Sequence, residues 1–152
     1  DEIIVSVLRM LLAAILNKEK EKRYKLSKDE PELKGEELEK ESELTNEEAI
    51  EVISSEVKKR KEAILEFEKG ERKDLVEKEK KEIEVLKKYL PEQLSEQEIK
   101  KLVKVAIETV EAKEPKDMGK VMAELIPQIK GKAEGATVSK IVKELLTSPK
   151  EE

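Results

Sequence analysis

The sequence contains no cysteine and no histidine, and these two absences exclude whole classes of chemistry. Without cysteine the chain has no disulfides, no thiolate metal ligands and no cysteine nucleophile. Without histidine it has no imidazole for acid-base catalysis, for metal binding or for a Ser-His-Asp triad. The acids and lysines that remain form no distinctive catalytic group. We therefore expect a protein that is not an enzyme and that holds no metal or cofactor, and the lack of cysteine also agrees with a cytoplasmic location.

Aromatic and turn-forming residues are also scarce. Aromatic side chains make up 2% of the 152 residues, and there are five glycines and five prolines. Aromatic residues are enriched in strands and all-β folds need many turns, so both figures argue against a sheet protein. Charged residues reach 45% with a net charge of −5, and this balanced mixture is typical of solvent-exposed helix faces. The composition predicts an all-α fold.

No apolar run is long enough to cross a membrane. The most apolar segment, residues 3–16, is shorter than the roughly 20 residues that a bilayer requires, and Arg9 interrupts it. Asp1 and Glu2 precede it, whereas a secretory signal would begin with a basic region. We interpret the segment as a buried core helix and expect no membrane partner. Because the chain opens with Asp1 and not with Met, we also expect further residues before it in the natural protein.

Helical periodicity predicts an N-terminal bundle of long antiparallel helices over residues 1–91. Apolar residues recur at helical spacing from Ile4 to Ile15 and define the first helix. Thr45, with a glutamate three residues later, has the capping-box pattern that begins another long helix, and Gly70 is suited to end it. A further helix follows directly and ends before Pro91, so the two helices should be antiparallel neighbours.

The segment between the first two long helices, residues 26–43, shows no periodicity. Serine, aspartate, proline and glycine are scattered there among glutamates and lysines. We interpret it as a long, acidic, mobile loop.

A second capping box, at Ser95 and Glu98, opens a small tail domain of three helices over residues 92–152. Apolar stripes follow over residues 99–110, 118–126 and 138–146. Each stripe is apolar on one side only, so the three helices should pack on one another. Pro127 should end or kink the middle helix, and residues 130–135 should form the next turn.

Two charge features bear on function. Glu79 interrupts the apolar stripe of its helix, and an acid in such a position is more often a partnered charge between helices than a catalyst. Residues 99–150 contain 11 lysines and 7 acids, whereas residues 1–98 contain 21 basic and 28 acidic residues. A basic tail on an acidic carrier is expected if the tail meets phosphate groups, although ordinary scatter of lysines explains the asymmetry equally well.

Several segments resemble the YqeY-like family. The N-terminal matches are LRMLLAAI at residues 8–15, Leu44-Thr45 and VKKRKEAI at residues 57–64, and the hinge YLPEQLS at residues 89–95 is also similar. In the tail, DMGKVM at residues 117–122 and KGKA at residues 130–133 resemble the family. The tail also resembles the C-terminal domain of the B subunit of the tRNA-dependent Asp/Glu amidotransferase. Two features depart from these patterns: segment 26–43 is longer than usual, and Glu134-Gly135 stands where amidotransferase tails tend to have Asn-Pro.

The resemblance implies two helical domains and a role close to tRNA or translation, without amidotransferase activity. In the amidotransferase the tail helps to hold tRNA, while the amide chemistry resides elsewhere. The partner would be tRNA or a complex that handles tRNA. The expected phosphate contacts are lysines of the tail, namely Lys120, Lys130, Lys132, Lys140 and Lys143. The rival interpretation is a protein-interaction module that uses the long helical arm and binds no nucleic acid.

Overall fold

The computed structural model describes residues 1–147. Within this range the chain forms seven α-helices and one short 3₁₀ turn, with no strand, so the all-α prediction is confirmed. The chain separates into two compact units, Asp1–Leu90 and Pro91–Glu152, called here the N-terminal unit and the tail unit. The predicted division into domains over residues 1–91 and 92–152 stays a prediction, and residues 148–152 of the predicted tail domain lie outside the described range. No helix in residues 1–147 has the length and apolar character needed to cross a bilayer.

The N-terminal unit contains four helices. They are α1 (Glu2–Asp29), α2 (Gly35–Ser42), α3 (Asn46–Lys69) and α4 (Lys73–Lys87). Helix α3 begins at the predicted capping box: the Glu48 amide donates to Thr45 Oγ1 at 3.2 Å, and the Thr45 amide donates to Glu48 Oε2 at 2.8 Å. It ends at Gly70, whose amide donates to the Glu66 carbonyl at 3.1 Å. Both predicted boundaries are confirmed.

The core of the N-terminal unit lies between α1 and the hairpin that α3 and α4 form. Helices α1, α3 and α4 all contribute aliphatic residues to it. The buried residues are Val7 and Leu11 of α1, Ile53 and Val57 of α3, and Ile83, Val85 and Leu86 of α4. The segment 3–16 of α1, which the sequence predicted to be a buried core helix, is buried on one side only, because Val5, Leu12 and Leu16 are exposed.

The prediction of a long loop over residues 26–43 is wrong. Helix α1 continues to Asp29, and α2 occupies Gly35–Ser42. Ser42 is completely buried, and its hydroxyl accepts a hydrogen bond from Arg23 Nε at 3.1 Å. Leu33 and Leu38 are half-buried. Helix α2 has eight residues, which form about two helical turns. This is too short for the apolar spacing of a helix to be recognised in the sequence.

The tail unit contains α5 (Glu96–Thr109), a 3₁₀ turn (Pro115–Asp117), α6 (Met118–Ile129) and α7 (Gly135–Thr147). Ser95 and Glu98 form the predicted capping box, with backbone-to-side-chain distances of 2.7 and 3.3 Å. Helix α6 continues through Pro127 to Ile129, so Pro127 does not end it. A proline two residues before a helix end removes one hydrogen bond of the last turn. The core combines three residues from each helix with Ala112: Ile99, Val103, Ala106, Val121, Leu125, Ile129, Val138, Ile141 and Val142.

Candidate functional site

The five candidate lysines of the tail are all exposed, and they fall into three places. Lys120 lies in the first turn of α6, Lys130 and Lys132 lie in the turn after α6, and Lys140 and Lys143 lie on α7. Lys120 and Lys130 are ten residues apart, and most of the residues between them are helical. This spacing corresponds to about 15 Å along the helix axis. Lys140 and Lys143 are three residues apart and share the solvent side of α7. The structure therefore offers several separate points for phosphate contact.

The lysine-bearing turn is fixed to the start of the tail unit. The Leu94 amide donates to the Lys132 carbonyl at 2.8 Å. The side-chain amide of Gln93 donates to the Gly131 carbonyl at 2.7 Å and to the Pro91 carbonyl at 2.8 Å. Gly131 adopts a φ of +73°, in the region that favours glycine. Gln93 and Leu94, within the segment 89–95 that resembles a hinge of the YqeY-like family, are thus joined to this turn by hydrogen bonds.

The candidate lysines differ in the acids around them. Lys120 Nζ lies 3.4 Å from Asp117 Oδ1. Hydrogen bonds from the backbone amides of Lys113 and Glu114 are the main cause that lowers the pKa of Asp117, and Lys120 adds to this effect. Lys140 interacts electrostatically with Glu96 on α5. Lys132 and Lys143 form no ion pair within residues 1–147, so among the five candidate lysines these two are the most available to an external phosphate.

The tail unit is electrically balanced when it is taken as a structural whole. Residues 91–147 contain ten lysines and ten acids, and the whole unit, residues 91–152, contains 11 lysines and 12 acids. The count over residues 99–150 shows a lysine excess because it leaves out Glu92, Glu96 and Glu98 at one end and Glu151 and Glu152 at the other. Attraction of a polyanion would therefore come from local groups of lysines and not from the net charge of the unit.

The N-terminal unit contains a buried ion-pair network around Arg60. Its Nε lies 3.0 Å from Glu82 Oε2 on α4, and its Nη1 lies 2.9 Å from Glu56 Oε2 on α3. Arg60 is 7% exposed and Glu82 is 4% exposed. Burial alone would lower the pKa of Arg60, but the hydrogen bonds to Glu56 and Glu82 outweigh it and raise the pKa. This network could not be predicted from the sequence, because Arg60 and Glu82 resemble the many surface charges of the two helices.

Glu79 lies beside this network. Burial is the largest cause that raises its pKa, and the negative charge of Glu82 adds to it, while Arg60 and Lys78 act in the opposite direction. The ion pair between the two helices is made by Glu82 and not by Glu79. The charge that joins α3 and α4 is therefore one helical turn further along α4 than the sequence predicted.

A groove of about 700 Å³ runs between α1 and α3. Small side chains leave this space, with Ala13 and Ala14 on one wall and Ser55 on the other, and Met10 and Val52 contribute apolar surface. Charged residues line the rest, including the ion pair between Lys22 and Glu48 at 2.8 Å. No group of three or more acids within residues 1–147 is arranged to hold a metal ion.

Comparison with known proteins shows the family. The sequence profile described as "Yqey-like protein" matches residues 30–146, which is most of the chain. The chain belongs to the YqeY-like family. It is also 45% identical over 51 residues to an uncharacterised protein of the fission yeast Schizosaccharomyces pombe (strain 972). That match covers 34% of this chain and 42% of the yeast protein, so the similarity spans about two fifths of the length of this relative.

The YqeY-like match extends across both units and includes α2. It begins at residue 30, just after α1 ends, and reaches residue 146 near the end of the described part of α7. The lysine-bearing turn and the Arg60 network both lie inside it.

Proposed function

We propose that this YqeY-like protein is a non-catalytic accessory protein of tRNA metabolism or translation, acting in the cytoplasm. Its tail unit would contact tRNA or a complex that handles tRNA, such as one related to the tRNA-dependent amidotransferase. Membership of the family carries the proposal, and the similarity of the tail to the amidotransferase B subunit supplies the link to tRNA. No residue is assigned a catalytic role.

The geometry of the tail supports phosphate contact without base recognition. The candidate lysines are exposed and belong to a three-helix unit with its own hydrophobic core. Lysine contacts to phosphates position a nucleic acid but do not read its sequence. Because the tail unit has equal numbers of lysines and acids over residues 91–147, binding should be weak and should decrease steeply as salt rises.

The test is a titration of a mixture of tRNAs with the full chain, at low and at near-physiological salt. The test variant is Lys132→Glu with Lys143→Glu, since neither lysine forms an internal ion pair within the described range. The control is Lys58→Glu with Lys69→Glu, which makes the same charge change at side chains of the N-terminal unit that are 73% and 72% exposed. We expect the test variant to lose most of the binding and the control to lose little. Absence of binding by the natural sequence at low salt would refute the proposal.

The groove between α1 and α3 favours a second candidate function, the binding of a protein segment by the helical arm. Ala13→Arg would obstruct this groove at an exposed position. The measurement is recovery of bound proteins from native lysate, with and without ribonuclease treatment. A protein that is retained after ribonuclease and lost with Ala13→Arg would support this candidate, whereas loss of all partners after ribonuclease would favour tRNA.

A further inference from the structure

Helix α1 carries an apolar face that the N-terminal unit leaves open. We call the residues Val5, Leu8, Leu12 and Leu16 the α1 stripe. Val5 is 46% exposed, Leu12 is 57% exposed and Leu16 is 46% exposed, and Leu8 is half-buried. These positions recur at intervals of three or four residues and so lie along one side of the helix. The core contacts of α1 are made by Val7 and Leu11, on a different side.

The C-terminal half of the same face is covered. The spacing of the α1 stripe continues to Glu19 and Arg23. There Glu19 Oε1 accepts from the Leu44 amide at 3.4 Å, and Arg23 Nε donates to Ser42 Oγ at 3.1 Å. Helix α2 and the connection after it therefore cover this face from residue 19 onward. The α1 stripe, which precedes residue 19, stays uncovered and is long enough for another helix to pack on it.

We propose that the α1 stripe packs against the α1 stripe of a second copy of this chain, with the two helices antiparallel. Apolar residues at intervals of three and four are the pattern by which one helix packs on another. The stripe is also nearly symmetric about a point between Leu8 and Leu12. An antiparallel two-fold pairing therefore sets Leu8 of each copy against Leu12 of the other, and Val5 near Leu16. Such self-complementarity is what a two-fold dimer requires.

The charges beside the α1 stripe agree with this orientation. Glu2 and Lys20 lie along the same edge of the stripe, near its two ends, and neither forms an ion pair within residues 1–147. In the antiparallel pairing Glu2 of one copy comes within two residues, or about 3 Å along the axis, of the level of Lys20 of the other, and symmetry brings these charges together twice. A parallel pairing would keep these two charges at opposite ends. Arg9 lies on the same edge near the symmetry axis, where the two copies of it repel each other and limit the affinity.

The size of the contact predicts a weak dimer. The open part of the stripe spans 12 residues from Val5 to Leu16, or about 18 Å of helix. A single helix pair of this length buries less than the roughly 800 Å² per partner of a standard stable interface. The dissociation constant should therefore lie in the micromolar range or above, roughly 10 to 500 µM.

Sedimentation equilibrium of the full chain, from about 1 µM to about 1 mM, tests the proposal. Leu12→Glu should weaken association at least tenfold. Leu65→Glu is the matched control, because Leu65 is 58% exposed on α3, away from the stripe. Circular dichroism of each variant checks that the helices remain. A chain that is monomeric throughout this range overturns the proposal, and so does an equal effect of the two substitutions.

A charge exchange tests the orientation. Glu2→Lys alone and Lys20→Glu alone should each weaken association severalfold at low salt, since each places like charges opposite each other. The double variant should restore association close to that of the natural sequence. If the double variant is weaker than both single variants, the antiparallel pairing is wrong.

Discussion

Replacing Arg60 by methionine is expected to destabilise the N-terminal unit by about 3 kcal/mol. The substitution leaves Glu82 as a buried carboxylate on α4 without the guanidinium that lies 3.0 Å away. Removal of one partner from a buried ion pair generally costs about 3 to 5 kcal/mol. The lower end applies here because Lys78 Nζ remains 4.0 Å from the other carboxylate oxygen of Glu82, and Lys59 remains 2.8 Å from Glu56.

The companion variant replaces both partners, Arg60→Met with Glu82→Leu. It removes the buried charges together and fills their space with apolar atoms, an exchange that is often neutral or stabilising. We expect its free energy of unfolding to lie within about 1 kcal/mol of the natural value. Glu82→Leu alone should be destabilising, because it leaves Arg60 buried with Glu56 as its remaining carboxylate.

Urea unfolding followed by circular dichroism at 222 nm measures these differences. Urea is preferred to guanidinium chloride because an ionic denaturant screens the charges under study. The two units are treated as separate transitions, since a chain of two units need not unfold in one step. A loss below about 1 kcal/mol for Arg60→Met, or a double variant as unstable as that single variant, would contradict the reasoning.

Three further predictions concern the tail unit. Ser95→Ala should lower the free energy of unfolding by about 1 kcal/mol through loss of the α5 cap, measured by urea unfolding. The pKa of Glu98 is lowered mainly by its hydrogen bond from the Ser95 backbone amide, so the stability that Glu98 contributes is fully present above its ordinary pKa of 4.5 and is lost as pH falls through the lowered pKa. The difference in free energy of unfolding between Glu98→Ala and the natural sequence, measured by urea unfolding, should therefore be larger at pH 7 than at acidic pH below 4.5. A fragment of residues 91–152 should remain helical by circular dichroism at about 25 °C, and a random coil would show that the tail depends on the N-terminal unit.

The long helices could be predicted from the sequence because local signals define them. The capping boxes at Thr45 and Ser95 are contained within four residues each, and both helices begin where those signals lie. The apolar stripes of α5, α6 and α7 are long enough to show their period, and their buried residues other than Ile129 lie within the predicted stripes. Ile126, which the stripe of α6 also included, is 53% exposed. Signals of this kind depend on backbone hydrogen bonds and helical geometry, which act over a few residues.

Features that depend on distant contacts could not be predicted. Helix α2 is joined to α1 by the hydrogen bond from Arg23 to Ser42, and this contact has no local pattern in the sequence. The pairing of Arg60 with Glu82 joins positions 22 residues apart, and in a chain with 45% charged residues many such pairs are equally plausible. The attachment of Gln93 to Gly131 spans 38 residues and gives the hinge a role that the hinge sequence alone does not show.

The candidate lysines show why side-chain partners matter more than exposure for the proposed contact with tRNA. Lys120 is 71% exposed, yet it lies beside Asp117, whose carboxylate also accepts hydrogen bonds from the Lys113 and Glu114 amides before α6. A phosphate must compete with this carboxylate for Lys120, so the net gain from the contact is reduced. Lys132 and Lys143 form no ion pair with a carboxylate within residues 1–147. A phosphate that contacts them therefore does not have to displace an internal partner. Substitution of these two lysines therefore measures contact with RNA, whereas substitution of Lys120 also disturbs the start of α6.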